Sequence, residues 1–341
     1  MILDDKKYND FFNKWLKINL ILVFLIIIVG GLTRLTDSGL SITEWELFSG
    51  MLPPLTDTSW NNYFNSYKEI PQYKLLNYNM TLNEFKVIFY WEYIHRMLAR
   101  FIGLFFLIPL LYFYFNNSIN QKKIRICIYV FLLILFQGVV GWYMVKSGLI
   151  DVVTVSHFRL SLHLIFAFLI ISTIFWLILN NQKKNMNIFF SFDGKKGFFL
   201  TLIILIFIQI SLGAFVSGLD AGRIYQTWPL MGETFFPNDI LLNNLNILLD
   251  LNNHSLVQFY HRVFAYLIFL YVFMLSFYLF YIKEKKVYKS LIFILFVLSL
   301  QIFLGILTLT SGLNIFLASG HQISSVLLVF SSIYLYYSYI K

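Results

Sequence analysis

Six histidines, His95, His157, His163, His254, His261 and His321, are the residues of this chain best suited to chemistry. Imidazole ligates haem and transition metals, and no thiolate competes with it here. Cys127 is the only cysteine and lies in an apolar run, which excludes disulfides within the chain, thiolate metal sites and CxxC redox chemistry. Oxidation or reduction would therefore run through a bound cofactor. Four of the six histidines fall at corresponding places of an internal repeat. Gly30, Gly39 and Trp45 recur as Gly213, Gly222 and Trp228 at an offset of 183 residues. His95-Arg96 recurs as His261-Arg262 at 166, and Gln137, Gly141 and Ser147-Gly148-Leu149 recur as Gln301, Gly305 and Ser311-Gly312-Leu313 at 164.

A single histidine in a membrane helix is as readily a buried hydrogen-bonder or the lining of a water cavity. Histidine at both places in both halves points instead to opposed pairs, His95 with His163 and His261 with His321, each approaching an iron from its two faces as bis-imidazole haem ligation requires. By plain counting, His157 lies 164 residues before His321 and is the alternative partner. It belongs to the polar connector Asp151 to Arg159, whereas Arg159-Leu-Ser-Leu-His163 puts His163 within a helix. His254, in Asn252-Asn-His-Ser, has no repeat partner and reads as a solvated loop residue.

Around the histidines the halves differ. Glu92-Tyr-Ile-His95 has Gln258-Phe-Tyr-His261 as its counterpart, and positions three apart share a helix face, so a carboxylate stands one turn from the first histidine and a neutral amide one turn from the second. A carboxylate near the membrane is costly unless it is used, which nominates the N-terminal half as the reacting site; a structural pair with Arg96 is the competing use. Gly30-Gly31, Gly138, Gly141, Gly213 and Gly305 leave room for a flat ring, and equally for close helix packing. Arg96, Arg100 and Arg262 have two uses available, snorkelling to head groups or forked pairing with haem propionates. The first outer segment, with Arg34, Asp37, Glu44 and Trp45, runs on as a polar, aromatic stretch to Lys86, longer than a connector needs, and reads as a lid over the first site.

The elements that must position these residues are membrane helices. Of 341 residues 59% are hydrophobic and 13% charged, against about 25% charged in soluble domains. Apolar runs fall at 17–35, 87–115, 124–146, 159–180, 198–219, 257–282, 288–311 and 316–338, each near the ~20 residues of a span. The polar segment before the first run carries no cleavage signature, so that run reads as a retained helix. Lysine and arginine alternate sharply between sides: 16 of the 26 basic residues, with five acidic ones, cluster at the N-terminus, near 122–125, 183–196 and 283–289, and at Lys341. This predicts both termini in the cytoplasm and the histidines toward the outer leaflet. The net charge of +9 reflects orientation and lipid contact rather than nucleic-acid binding. The predicted fold is an all-α integral membrane protein of eight transmembrane helices, built as two tandem, pseudo-symmetric four-helix bundles, 1–182 and 183–341.

These motifs together resemble the heme A synthase family, in its mitochondrial and alphaproteobacterial branch without a cysteine pair in the first outer loop. The resemblance runs over nearly the whole chain. It rests on Gly30-Gly-Leu-Thr-Arg-Leu-Thr-Asp-Ser-Gly-Leu40 with Glu44-Trp45 and Pro53-Pro54, on Glu92-Tyr-Ile-His95-Arg96 and on Arg159-Leu-Ser-Leu-His163. In the second half it rests on Gly213-Ala-Phe-Val-Ser-Gly-Leu-Asp-Ala-Gly222, Trp228-Pro-Leu-Met-Gly232, Val257-Gln-Phe-Tyr-His261-Arg262 and His321-Gln322. Asp37 stands where the family more often has glutamate, and Arg223 and Trp228 are less usual.

The resemblance implies oxidation of a ring methyl of heme O to the formyl group of heme A, with water as the oxygen source, for cytochrome oxidase assembly. It implies that His95 and His163 flank the substrate haem, that His261 and His321 hold a resident b-type haem, and that Glu92 is the catalytic carboxylate. No GxGxxG nucleotide motif is present, so electrons would leave through iron to an unidentified acceptor. Heme O synthase and cytochrome oxidase assembly factors are the implied partners, in a bacterial inner membrane, with a homo-oligomer also open. A di-haem b-type cytochrome of electron transfer, such as a quinol dehydrogenase subunit, fits the histidine pairs equally well but gives no reason for the Glu92/Gln258 difference. A repeat-built transporter gives no reason for the matched histidines.

Overall fold

The structure is a computed structural model and describes residues 2–44, 49–149, 154–181, 192, 194–241 and 245–341. The chain divides into two compact units, Met1–Asn181 and Gln182–Lys341. Among the described residues eight helices are long and apolar enough to cross a membrane. Four belong to each unit, and the chain is an all-α, multi-pass membrane protein.

In the first unit the spanning helices are α1 (Ile2–Leu35), α4 (Leu82–Phe115), α5 (Gln121–Gly148) and α6 (His157–Asn180), with α2 (Asp57–Lys68) and α3 (Pro71–Leu75) in the segment between α1 and α4. The packing is cyclic: α1 on α4, α4 on α5, α5 on α6 and α6 back on α1. In the second unit α7 (Lys196–Gly218), α8 (His254–Tyr281), α9 (Tyr288–Thr310) and α10 (Ile315–Ile340) close the same ring. In both rings, helices two apart in order stand on the diagonal.

Local chemistry sets the helix starts. Thr81 and Glu84 form a reciprocal capping box at α4, and the side chains of Asn120, Asn253 and Asn314 accept from backbone amides at the starts of α5, α8 and α10. The predicted spans match within a few residues except at α1, which begins at Ile2 rather than near residue 17. There Phe12, Trp15 and Leu16 recur on one face and are buried, Phe12 against Phe113 and Trp15 against Phe106, with ring centres 5.3 and 4.7 Å apart. That packing extends the helix beyond the apolar run. After α1 and after α7 the chain turns through a left-handed aspartate, Asp37 (φ 50°) and Asp220 (φ 52°), so the repeat holds to the level of the turn.

The segment between α1 and α4 is built, not slack. Trp60, Phe64 and Tyr67 recur along α2 and pack with Leu40, Ile42, Ile70, Phe85, Ile88 and Phe89 into one cluster over the N-terminal end of α4. Gln72 on α3 donates to the main-chain oxygen of Asp37 at 3.0 Å and accepts from the Tyr67 hydroxyl, also at 3.0 Å. Burial pushes the Tyr67 phenol above its ordinary pKa.

Candidate haem-binding sites

The diagonal helices α4 and α6 carry His95 and His163, whose ring centres are 6.5 Å apart with planes at 62°. The diagonal helices α8 and α10 carry His261 and His321, also 6.5 Å apart, at 81°. With imidazole–metal bonds of about 2 Å, one iron between two ring nitrogens sets the ring centres roughly 6 to 6.5 Å apart. Both pairs meet that span. No group of three or more histidine, cysteine, aspartate or glutamate side chains converges among the described residues. Two imidazoles leave a bare ion short of ligands, whereas a porphyrin supplies the remaining four.

The other diagonal in each ring supplies space. A Cβ on Gly30 of α1 would stand 3.0 Å from Cε1 of His95, and one on Gly141 of α5 would stand 3.4 Å from Cε1 of His163. In the second unit the distances are 3.1 Å from Gly213 to His261 and 2.9 Å from Gly305 to His321. Each imidazole thus turns its Cε1 edge toward a helix that has no side chain at that point. Of the glycines predicted to make room for a ring, these four make room for the imidazoles themselves, while Gly138 faces nothing within 4 Å. Half-buried, matched in distance and backed by glycine, the two pairs fit haem.

His157 is not part of either pair. It is buried as the first residue of α6, its ring 4.1 Å from that of Phe158. His254 is exposed, as expected, but as the first residue of α8 rather than in a loop, because Asn253 caps the helix directly before it.

Glu92 is 3% exposed and fully bonded. Its Oε2 accepts from Ser41 Oγ at 2.7 Å and from the Ile42 amide at 2.8 Å, and its Oε1 accepts from Arg96 Nε at 3.0 Å and from Arg96 Nη2. Arg96 continues outward, Nη2 to the Ile42 carbonyl at 3.0 Å and Nη1 to that of Glu44 at 3.5 Å. The second unit repeats this clamp without the charge. Arg262 Nη2 donates to the Tyr225 carbonyl at 2.9 Å and Nη1 to that of Thr227 at 2.9 Å, the residues 183 places after Ile42 and Glu44. Gln258, 2% exposed, donates to the same Tyr225 carbonyl at 2.8 Å. The arginines therefore fasten the loops after α1 and α7 to the histidine-bearing helices, contacts that sequence spacing alone does not reveal.

Arg96 and Arg100 line one cleft at the mouth of the first bundle together with Glu44, Tyr63, Phe89 and Tyr93. Arg100 also donates to the Met97 sulfur at 3.4 Å. Arg34 and Asp37 pair with each other at 2.7 Å at the end of α1. Trp45 lies outside the described residues. Gln209, which sequence reasoning missed, has its amide nitrogen 3.1 Å from Nδ1 of His261. Its counterpart at the 183 offset is Ile26, and comparing the halves there is the signal that finds it.

The comparisons agree over the whole chain. A sequence family described as cytochrome oxidase assembly protein matches residues 13–333. The chain is 48% identical over 335 residues to the heme A synthase of Pelagibacter ubique, covering 97% of each. It is 42% identical over 326 residues to the heme A synthase of Rickettsia felis, covering 95% of this chain and 96% of the relative, and 42% identical over 329 residues to that of Rickettsia canadensis, with the same coverage. With residues 13–333 matched and identity of this level sustained from end to end, the chain belongs to the cytochrome oxidase assembly protein family that contains the heme A synthases.

Proposed function

We propose that the chain makes heme A by oxidising a ring methyl of heme O to a formyl group, with the substrate in the first unit between His95 and His163 and a resident b-type haem in the second between His261 and His321. The observation that carries this reading is two equal ring-to-ring spans with unlike neighbours, Glu92 beside one and Gln258 beside the other. Taking a methyl to a formyl with one water removes four electrons and four protons and leaves the farnesyl tail untouched. The resident haem, when bound, supplies a one-electron acceptor or relay.

The residues divide the remaining work. His95 and His163 grip the substrate iron and so fix the ring against α4. Glu92, held in place by Ser41, Ile42 and Arg96, presents a fixed negative charge one turn from His95, suited to stabilising positive charge as electrons depart. To take a proton it must first release one of those donors. Arg96, Arg100 and Arg262 stand at the bundle mouths, where guanidinium N–H groups can meet propionates. The packed outer segment around Trp60 and Tyr67 serves as a lid that keeps water from the first unit.

An apolar substrate reaches the first unit from the bilayer, handed on by heme O synthase. The lysine distribution supports cytoplasmic termini in an inner membrane, with both sites toward the outer face. Co-expression with heme O synthase in a host lacking heme A, followed by haem extraction, tests the reading. Heme A is the expected product; recovery of heme B and heme O alone would leave an electron-transfer cytochrome and overturn it.

A further inference from the structure

The two units differ in what stands behind their imidazoles. In the second, Nδ1 of His321 lies 3.1 Å from the main-chain oxygen of Gln301. That oxygen only accepts, so the ring presents Nδ1–H to it and leaves a lone pair on Nε2, which the Gln301 side-chain amide nitrogen approaches at 3.4 Å. The Gln209 amide nitrogen donates to the main-chain oxygen of His261 at 3.0 Å and lies 3.1 Å from Nδ1 of the same ring, while its Oε1 is buried with no partner among the described residues. In the first unit Nδ1 of His95 and Nδ1 of His163 are both buried with no partner among the described residues.

Register accounts for half of this difference. Gln209 lies four residues before Gly213, on the face of α7 that meets His261. Four residues before Gly30, on the corresponding face of α1, stands Ile26, which has no hydrogen-bonding side chain. An imidazole bound to iron through Nε2 carries its proton on Nδ1. An acceptor for that proton fixes the ring and raises its donor strength, and removing such a partner lowers metal affinity about 10- to 100-fold.

We propose that Gln209 is a positioning residue for the resident haem. Turning its amide so that Oε1 accepts from the Nδ1–H of His261 gives both atoms a partner in exchange for the bond donated to the His261 main-chain oxygen. Together with the Gln301 carbonyl on His321, this makes the second unit a retaining site. The first unit offers His163 an amide of the same kind, Gln137, whose nitrogen donates to the His163 main-chain oxygen at 2.9 Å with Oε1 unpartnered among the described residues, but offers His95 none, so it binds and releases. The inference rests on the reading that the second unit holds a haem.

The test is haem transfer from the purified full-length protein to excess apomyoglobin, followed in the Soret region, with the midpoint potential of the resident haem as a second readout. Gln209→Leu should speed release about 10- to 100-fold and raise the potential. Gln209→Glu, which keeps an acceptor, should hold release near the wild-type rate and lower the potential. Ile26→Gln, which gives the first unit the missing amide, should slow release there and keeps the question answerable if Gln209→Leu does not fold. Wild-type haem that survives His261→Ala overturns the underlying reading and this inference with it. Haem that depends on His261 but keeps its rate and potential in Gln209→Leu overturns the inference alone.

Discussion

Glu92 and Gln258 stand at the same register of α4 and α8, buried to the same degree and reaching to matched loops after α1 and α7, yet one is charged and the other is not. Around them the units agree closely: an arginine four residues on donates to matched loop carbonyls, a diagonal histidine pair spans 6.5 Å, and a glycine backs each ring. A shared scaffold thus holds two imidazole pairs, and the differences are confined to side chains beside the rings. That pattern is expected where one framework serves two tasks, holding a cofactor and reacting a substrate.

The sharpest way to break the comparison is to erase it. Glu92→Gln makes the first unit resemble the second. Heme A formation in co-expressing cells should fall about 10²- to 10⁴-fold with bound haem unchanged, the range for losing a catalytic acid–base or electrostatic group. Full turnover would return Glu92 to a purely structural pairing with Arg96. The reciprocal Gln258→Glu should leave product formation near wild type.

A smaller effect is expected from the glycines. Gly305→Ala sets a Cβ 2.9 Å from His321, and Gly141→Ala sets one 3.4 Å from His163. Overpacking of the first kind costs about 1–3 kcal/mol and pushes the ring off its axis. Gly305→Ala should therefore lose low-spin haem absorbance and midpoint temperature, and Gly141→Ala should lose less of both. Equal losses would show that the spacing of the glycine cradle is not what holds the rings.

The mildest contrast is at the helix starts. Thr81→Ala removes a reciprocal capping box from α4, whereas Asn253→Ala removes a single cap bond from α8. Each should lower stability by about 1 kcal/mol, Thr81→Ala by more, measured as thermal midpoints in the same detergent.

Much of this was legible in the residue order because membrane helices advertise themselves. Apolar run length marked the eight spans, the His-Arg repeat matched His95 to His261, and the helical segment Arg159-Leu-Ser-Leu-His163 favoured His163 over His157, which the 164 offset alone pairs with His321. The start of α1 was missed because Phe12, Trp15 and Leu16 are held by packing on α4, which hydropathy does not sense. The helix α2 was missed as a helix because its apolar stripe is only three residues, Trp60, Phe64 and Tyr67, in a polar segment. The pairing of Gly30, Gly141, Gly213 and Gly305 with one histidine each depends on how neighbouring helices are rotated, and the bonds of Arg96 and Arg262 run to backbone carbonyls that no side-chain pattern records.

The most direct measurement is the low-spin haem content of purified protein, by electron paramagnetic resonance and haem extraction, in His95→Ala, His163→Ala, His261→Ala and His321→Ala. Loss of the resident b-type signal in the last two, with the first two keeping that signal but making no heme A, is the predicted result. A resident signal that vanishes with His95 or His163 and survives without His261 and His321 would contradict the division of labour between the two units.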